Sequence, residues 1–161
     1  MTRLVLISTI AALGTAPAVA QAPGRGEAKT TVSGKAVAIE YGRPVLRGRD
    51  MLAQAEVGKP WRLGANAATT LKTEADLSMG GVAVPKGDYV LTATRVAADK
   101  WTLNLATNDS EKKKVAEVPL TPTALPGEVE TFTIDLRAEK DQGEVSFSWG
   151  KTALKAGFTG K

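Results

Sequence analysis

The sequence predicts an all-β protein, an antiparallel β-sandwich with a small β-barrel as the alternative. Three observations carry that prediction. Apolar residues alternate with polar or small ones in short runs along most of the chain, the pattern of strands with one buried and one wet face. Glycine, proline, asparagine and aspartate separate these runs as turn residues do. No apolar repeat of helical period extends over an ordinary helix length. Together they give about eight or nine short strands and one long irregular loop.

The first twenty residues have the composition of a secretory signal. Arg3 supplies the positive start, Leu4 to Leu13 the apolar run, and Ala18-Val19-Ala20 the small-residue pattern before Gln21. The apolar run is shorter than the roughly 18 residues expected of a membrane helix, and no later segment approaches that length. The cleavage pattern also lacks the cysteine that a lipoprotein carries at its new N-terminus. A soluble product, periplasmic or secreted after cleavage near Ala20-Gln21 and without a membrane span, is therefore expected. Removing those twenty from 161 leaves 141 residues, enough for one domain with one core.

Residues 21–29, QAPGRGEAK, are small, polar and turn-rich, and read as a flexible lead into a single β-domain over residues 30–161. Alternation begins after Ser33-Gly34, with Val37, Ile39 and Tyr41 sharing one strand face. From Gly42 to Asn66 the period fails. Pro44, Gly48, Gly58, Pro60 and Gly64 interrupt any long element, and a short helical turn around Met51 to Val57 is the one local exception. At about twenty-five residues this segment is long for a loop, and long ordered loops are often functional.

Strands resume at Ala68 to Thr73 and at Leu77 to Met79, which a Gly80-Gly81 turn joins to Val82 to Val84. After the Pro85-Lys86-Gly87 turn, Tyr89, Leu91 and Ala93 share a face. The chain turns back over Ala97 to Lys100 into Trp101, Leu103 and Leu105. A charged tip over Asn108 to Lys114 leads to a short strand, Val115 to Val118, and then to a connection punctuated by Pro119, Pro122 and Pro126. Two strong strands follow, marked by Phe132, Ile134 and Leu136 and by Val145, Phe147 and Trp149. An edge segment around Thr152 to Phe158 closes the chain. Tyr89, Trp101, Phe132, Phe147 and Trp149 read as core, whereas Trp61, in the irregular loop, suits a core plug and a site wall equally.

Composition excludes several chemistries. The chain has no cysteine and no histidine, which removes disulfides, thiolate nucleophiles, Ser-His-Asp and Cys-His arrangements and the usual zinc sites. Any catalysis would rest on carboxylates, lysine, tyrosine or arginine. The carboxylates are dispersed without a calcium-loop pattern, so no metal is expected. Positive charge concentrates in one place: between Arg43 and Asn66 stand Arg43, Arg47, Arg49, Lys59 and Arg62 against Asp50 and Glu56. A broad basic face with interleaved aromatics is missing, so no nucleic-acid partner is expected. The Glu111 to Lys114 run reads as a solvated hairpin tip.

Those loop residues also carry a resemblance. The order Glu40-Tyr41-Gly42-Arg43-Pro44, Gly48-Arg49, Trp61-Arg62-Leu63-Gly64-Ala65-Asn66, Val84-Pro85-Lys86-Gly87-Asp88-Tyr89 and Trp101-Thr102-Leu103-Asn104 resembles the bacterial exported proteins grouped as domain-of-unknown-function family 2911. It extends over nearly all of the mature chain, to Trp149-Gly150-Lys151. The family's usual motif has serine where this chain has Gly42 and glutamate where it has Ala67. The second departure removes a carboxylate beside Asn66 and weakens acid-base chemistry there. The resemblance implies no recognised cofactor and no established activity.

Three readings follow. The first is a non-catalytic binding module in which Arg43, Arg47, Arg49, Arg62 and Asn66, with Trp61 as a wall, take a small anionic or polar carbohydrate-like ligand. Against it, loop arginines often pair with carboxylates such as Glu40 or Asp50, or cap backbone carbonyls. The second is a glycan hydrolase using Glu40, Asp50 or Glu56, which needs two carboxylates opposed at about 5–9 Å. The third is an envelope domain that engages a protein partner through an uncovered apolar edge at Thr152 to Phe158.

Overall fold

The computed structural model describes residues 24–161, so the signal segment and the start of the lead lie outside the described residues. Ten strands form one antiparallel ladder: β1 (Arg25–Val32), β2 (Lys35–Gly42), β3 (Pro60–Trp61), β4 (Thr69–Thr73), β5 (Leu77–Met79), β6 (Val82–Val84), β7 (Gly87–Ala97), β8 (Lys100–Thr107), β9 (Lys114–Glu139) and β10 (Gln142–Gly160). Their order is β1-β2-β4-β7-β8-β9-β10-β5-β6, with β3 paired to β7, and β1 and β6 are the ends of that path. There is no barrel closure.

The ladder becomes a sandwich because β9 changes layers along its length. Residues Lys114 to Leu120 pair with β8, whereas Thr121 to Glu139 pair with β10. The first layer holds β1, β2, β4, β7, β8 and the start of β9, with β3 beside β4. The second holds the rest of β9 with β10, β5 and β6. Their inner faces meet through Tyr41, Phe132, Phe147, Ile39, Leu71, Leu91, Leu103 and Leu154, all essentially fully buried. The alternating residues singled out from sequence in β2, β7, β8, β9 and β10 all lie in this core.

Three expectations are corrected. The lead 21–29 is strand from Arg25 onward, because Arg25 to Val32 pair in register with Gly42 to Lys35. The proline-punctuated stretch is part of the 26-residue β9 rather than a connection between strands. Each half of β9 has its ladder partner on one flank, so a proline's missing N–H is tolerated on the other. Finally, Thr152 to Phe158 is not an uncovered apolar edge strand, since Thr152 to Lys155 pair with β9 and Phe158 with β5. Ala153, Leu154, Ala156 and Phe158 are all buried.

Candidate functional site

The irregular segment after β2 is held to the scaffold at both arms. In the first arm, Pro44 to Leu46 run beside β9: Leu46 N donates to Glu130 O at 2.9 Å, and Phe132 N donates to Pro44 O at 2.9 Å. The chain then turns tightly, with Arg47 at φ +51° and Gly48 at φ +75°. Arg49 N closes that turn on Leu46 O at 3.2 Å, and Arg47 N donates to the Glu130 carboxylate at 3.2 Å. Arg47 and Arg49 are exposed at the tip. Next, Asp50 caps a single turn, its carboxylate accepting Ala53 N at 3.0 Å, where the sequence suggested a short helical turn.

The second arm is β3 and the residues after it. Trp61 points inward and stacks on Trp149 with centroids 5.7 Å apart and rings 13° from parallel. Its edge meets Phe132 at 5.2 Å. The half-buried indole is thus a plug over the core at the base of the loop. Arg62 is exposed and donates from Nη1 to Asn66 O at 2.9 Å, while Thr69 Oγ1 ties Leu63 O at 2.7 Å. Leu63 and Asn66 both have left-handed backbone, at φ +51° and +65°. With Arg47 they are three of the six non-glycine positive-φ residues described, a concentration of backbone strain of the kind found at functional sites.

Gly42 joins the two arms. A Cβ there would fall 1.9 Å from Ala65 O and 2.7 Å from Ala65 N, so β2 ends against the backbone of the second arm. Arg43 follows Gly42, and Asn66 follows Ala65. The contact brings the Gly42 backbone against the Arg62–Asn66 turn, while Arg47 and Arg49 stand at the other turn near Glu130. Arg43 is half-buried, its stem lying over Gly26, and its Nε is buried without a hydrogen-bond partner.

Electrostatics distinguish this loop. Among the described residues no carboxylate lies within 4.0 Å of the guanidinium of Arg43, Arg47, Arg49 or Arg62. The acids suggested as their partners are engaged elsewhere, Glu40 with Arg25 at 3.5 Å and Asp50 with the Ala53 amide at 3.0 Å, and Glu56 pairs with Lys59 at 2.7 Å. Asp50 thus faces an amide and Glu56 a single cation, whereas Glu40 also stands opposite Glu27 in the β1–β2 register and shares with Glu27 and Asp88 the lining of a depression of about 380 Å³.

Family comparison fits this layout. The chain belongs to the family described as Protein of unknown function (DUF2911). The match covers residues 24–158, from the turn before β1 into the last residues of β10. A search of curated proteins and of solved structures found no match. In this DUF2911 protein the family-like residues Arg43-Pro44, Gly48-Arg49 and Trp61 to Asn66 build the two arms, whereas Val84 to Tyr89 and Trp101 to Asn104 belong to β6, β7 and β8 and the turn between β6 and β7.

Sequence reasoning missed two residues that hold the loop. Arg95, on β7, donates from Nη1 to Ala53 O and Ala55 O, each at 3.3 Å, and from Nε and Nη2 to Ala98 O. Glu130 takes the Arg47 amide on its side chain and the Leu46 amide and the Trp149 indole N–H on its backbone carbonyl. Neither carries a local signal, because each acts on a segment 40 residues or more away in sequence.

Proposed function

We propose that this DUF2911 protein is an exported, non-catalytic binding module for a small anionic or polar carbohydrate-like ligand. Arg47, Arg49 and Arg62 contact the ligand, Asn66 orients it, and Arg43 and Trp61 support the loop from beneath. One observation carries the reading: these guanidiniums sit on a backbone-pinned loop with no acid within ion-pair distance among the described residues. A guanidinium offers a planar fork of donors that matches carboxylate and phosphate oxygens, each charge-assisted bond contributing about 1.5–3 kcal/mol. Export to the periplasm or medium belongs to the same reading and rests on the signal-like N-terminus.

The test is thermal unfolding against sugar acids, phosphorylated sugars, neutral glycans and dicarboxylates. A ligand at one hundred times its Kd stabilises by about 2.7 kcal/mol, a shift of several degrees for a domain of this size. A hit that disappears in Arg49→Ala supports the site. A flat panel, or a hit indifferent to Arg49→Ala and Arg62→Ala, overturns it.

A further inference from the structure

The outer face of the first layer carries a second recognition surface, away from the arginine turns. A depression of about 440 Å³ lies across β7, β8 and β9, lined among others by Val90, Thr92, Thr94, Asn104, Lys112 and Lys114. Cross-strand pairing explains its shape. Val90 pairs with Ala106, Thr92 with Asn104 and Thr94 with Thr102, so small side chains share the middle of the face. Pro60 rises at one end beside Thr94, and the two lysines rise at the other, where Ala106 pairs with Lys114.

The hydrogen bonds on this floor have a direction. Asn104 donates from Nδ2 to Thr92 Oγ1 at 3.2 Å and to Thr94 Oγ1 at 2.9 Å, while its Oδ1 accepts from Thr102 Oγ1 at 3.3 Å. Thr92 and Thr94 therefore act as acceptors toward the protein, and among the described residues neither hydroxyl has an acceptor for its own proton. Both hydroxyl oxygens bond the one Asn104 nitrogen, at 3.2 and 2.9 Å, so the two O–H donors stand no more than 6.1 Å apart and suit two acceptor oxygens at or below that spacing. Val90, Ala106 and the threonine methyls form an apolar strip between them and the lysines. Glu117, the acid in the lining, is paired with Lys114 at 2.5 Å, and Lys112 reaches Asn108 Oδ1 at 3.4 Å with Asp109 also nearby. Of the charged side chains that line the depression two are lysines and one is an acid, while Asp109 faces Lys112 from outside the lining.

We propose that this face binds a short saccharide bearing carboxylates. Its ring oxygens and hydroxyls would accept from Thr92 and Thr94, its C–H face would lie on Val90 and Ala106, and a carboxylate would reach the Lys112 end. Apart from Pro60, which the loop's second arm lends to its rim, the site uses no residue of the arginine loop, and its test is separate from that of the loop.

Amide NMR of the protein titrated with trigalacturonate, and with its uncharged methyl ester, tests the proposal. Shifts are expected at Thr92, Thr94 and Asn104 with trigalacturonate. The pair Thr92→Val/Thr94→Val keeps shape and strand preference while removing both donors, and should weaken binding about tenfold or more. Lys112→Gln, at an exposed hairpin tip, should weaken the acid and leave the ester unchanged, which keeps the proposal testable even if the valine pair unfolds. Absence of shifts at millimolar ligand, shifts confined to Arg47, Arg49 and Arg62, or binding unaltered in both variants would overturn it; the second outcome would still support the loop site.

Discussion

At the scale of single residues, the loop is governed by one glycine and one arginine. Gly42 is buried against Ala65, and any side chain there meets backbone rather than a movable side chain. Gly42→Ser, which would restore the serine of the resembled motif, should therefore cost about 3 kcal/mol or more, since interiors are too close-packed to absorb a contact of that kind. Urea denaturation reads that loss, and wild-type stability in the variant would mean that the second arm moves aside freely. Arg43 predicts the opposite behaviour. Its stem packs over Gly26, but its buried Nε has no partner, and an orphaned buried donor carries an uncompensated desolvation cost. Arg43→Met keeps the stem and removes the donor, so unfolding free energy should stay within about 1 kcal/mol of wild type or rise. A loss of several kcal/mol would show that the guanidinium itself holds the arms.

At the scale of elements, the strands were legible where alternation was clean and illegible where one strand serves two layers. Val37-Ile39-Tyr41, Tyr89-Leu91-Ala93 and Trp101-Leu103-Leu105 announce their buried faces because each lies in a strand with one wet side. β9 hid its length because its prolines look like breaks, and only the switch from β8 to β10 explains how a strand tolerates them. The arginine cluster was legible as composition. Its anchoring was not, because Arg95 and Glu130 reach the loop from distant strands. Arg95 donates to carbonyls at Ala53 and Ala55, so Arg95→Ala should release residues 51–58 and lower stability by about 2 kcal/mol. Faster amide exchange confined to that segment is the expected signature; unchanged exchange would remove Arg95 as the staple.

The β8–β9 hairpin tip makes a further prediction at the same scale. Asp109 accepts from the Thr107 hydroxyl at 2.8 Å and from the Glu111 and Lys112 amides at 3.0 and 3.1 Å. The Thr107 hydrogen bond first, then the backbone amides and the Lys112 charge, hold its carboxyl below the ordinary value of 3.8. A depressed folded value means that this contribution is fully present above about pH 4 and is lost as pH falls through the lower folded value. Asp109→Ala should therefore flatten the tip's pH dependence below pH 4, read from amide exchange at Glu111 and Lys112. A wild-type profile in that variant would place the acid sensitivity elsewhere.

At the scale of the whole molecule, the irregular loop and the core share one aromatic cluster. Tyr41 meets Phe132 edge to face at 5.6 Å, Phe132 meets Trp149 at 5.7 Å, and Trp149 stacks on Trp61. These rings come from both layers and from the loop's second arm, so the loop is built on the core rather than added to it. Trp149 also donates its indole N–H to Glu130 O, the carbonyl that receives the Leu46 amide of the first arm. Removing Trp149 should then act on both arms and both layers. Trp149→Ala is expected to cost about 3–5 kcal/mol through the cavity left between the sheets, with a matching fall in the urea midpoint. Any ligand affinity at the arginines should fall with it, whereas Arg49→Ala should abolish binding while leaving the midpoint within about 0.5 kcal/mol of wild type. A Trp149→Ala protein that keeps both its stability and its binding would separate loop from core. Loss of stability with binding preserved in the folded fraction would instead place the ligand contacts outside the arms that Trp149 supports.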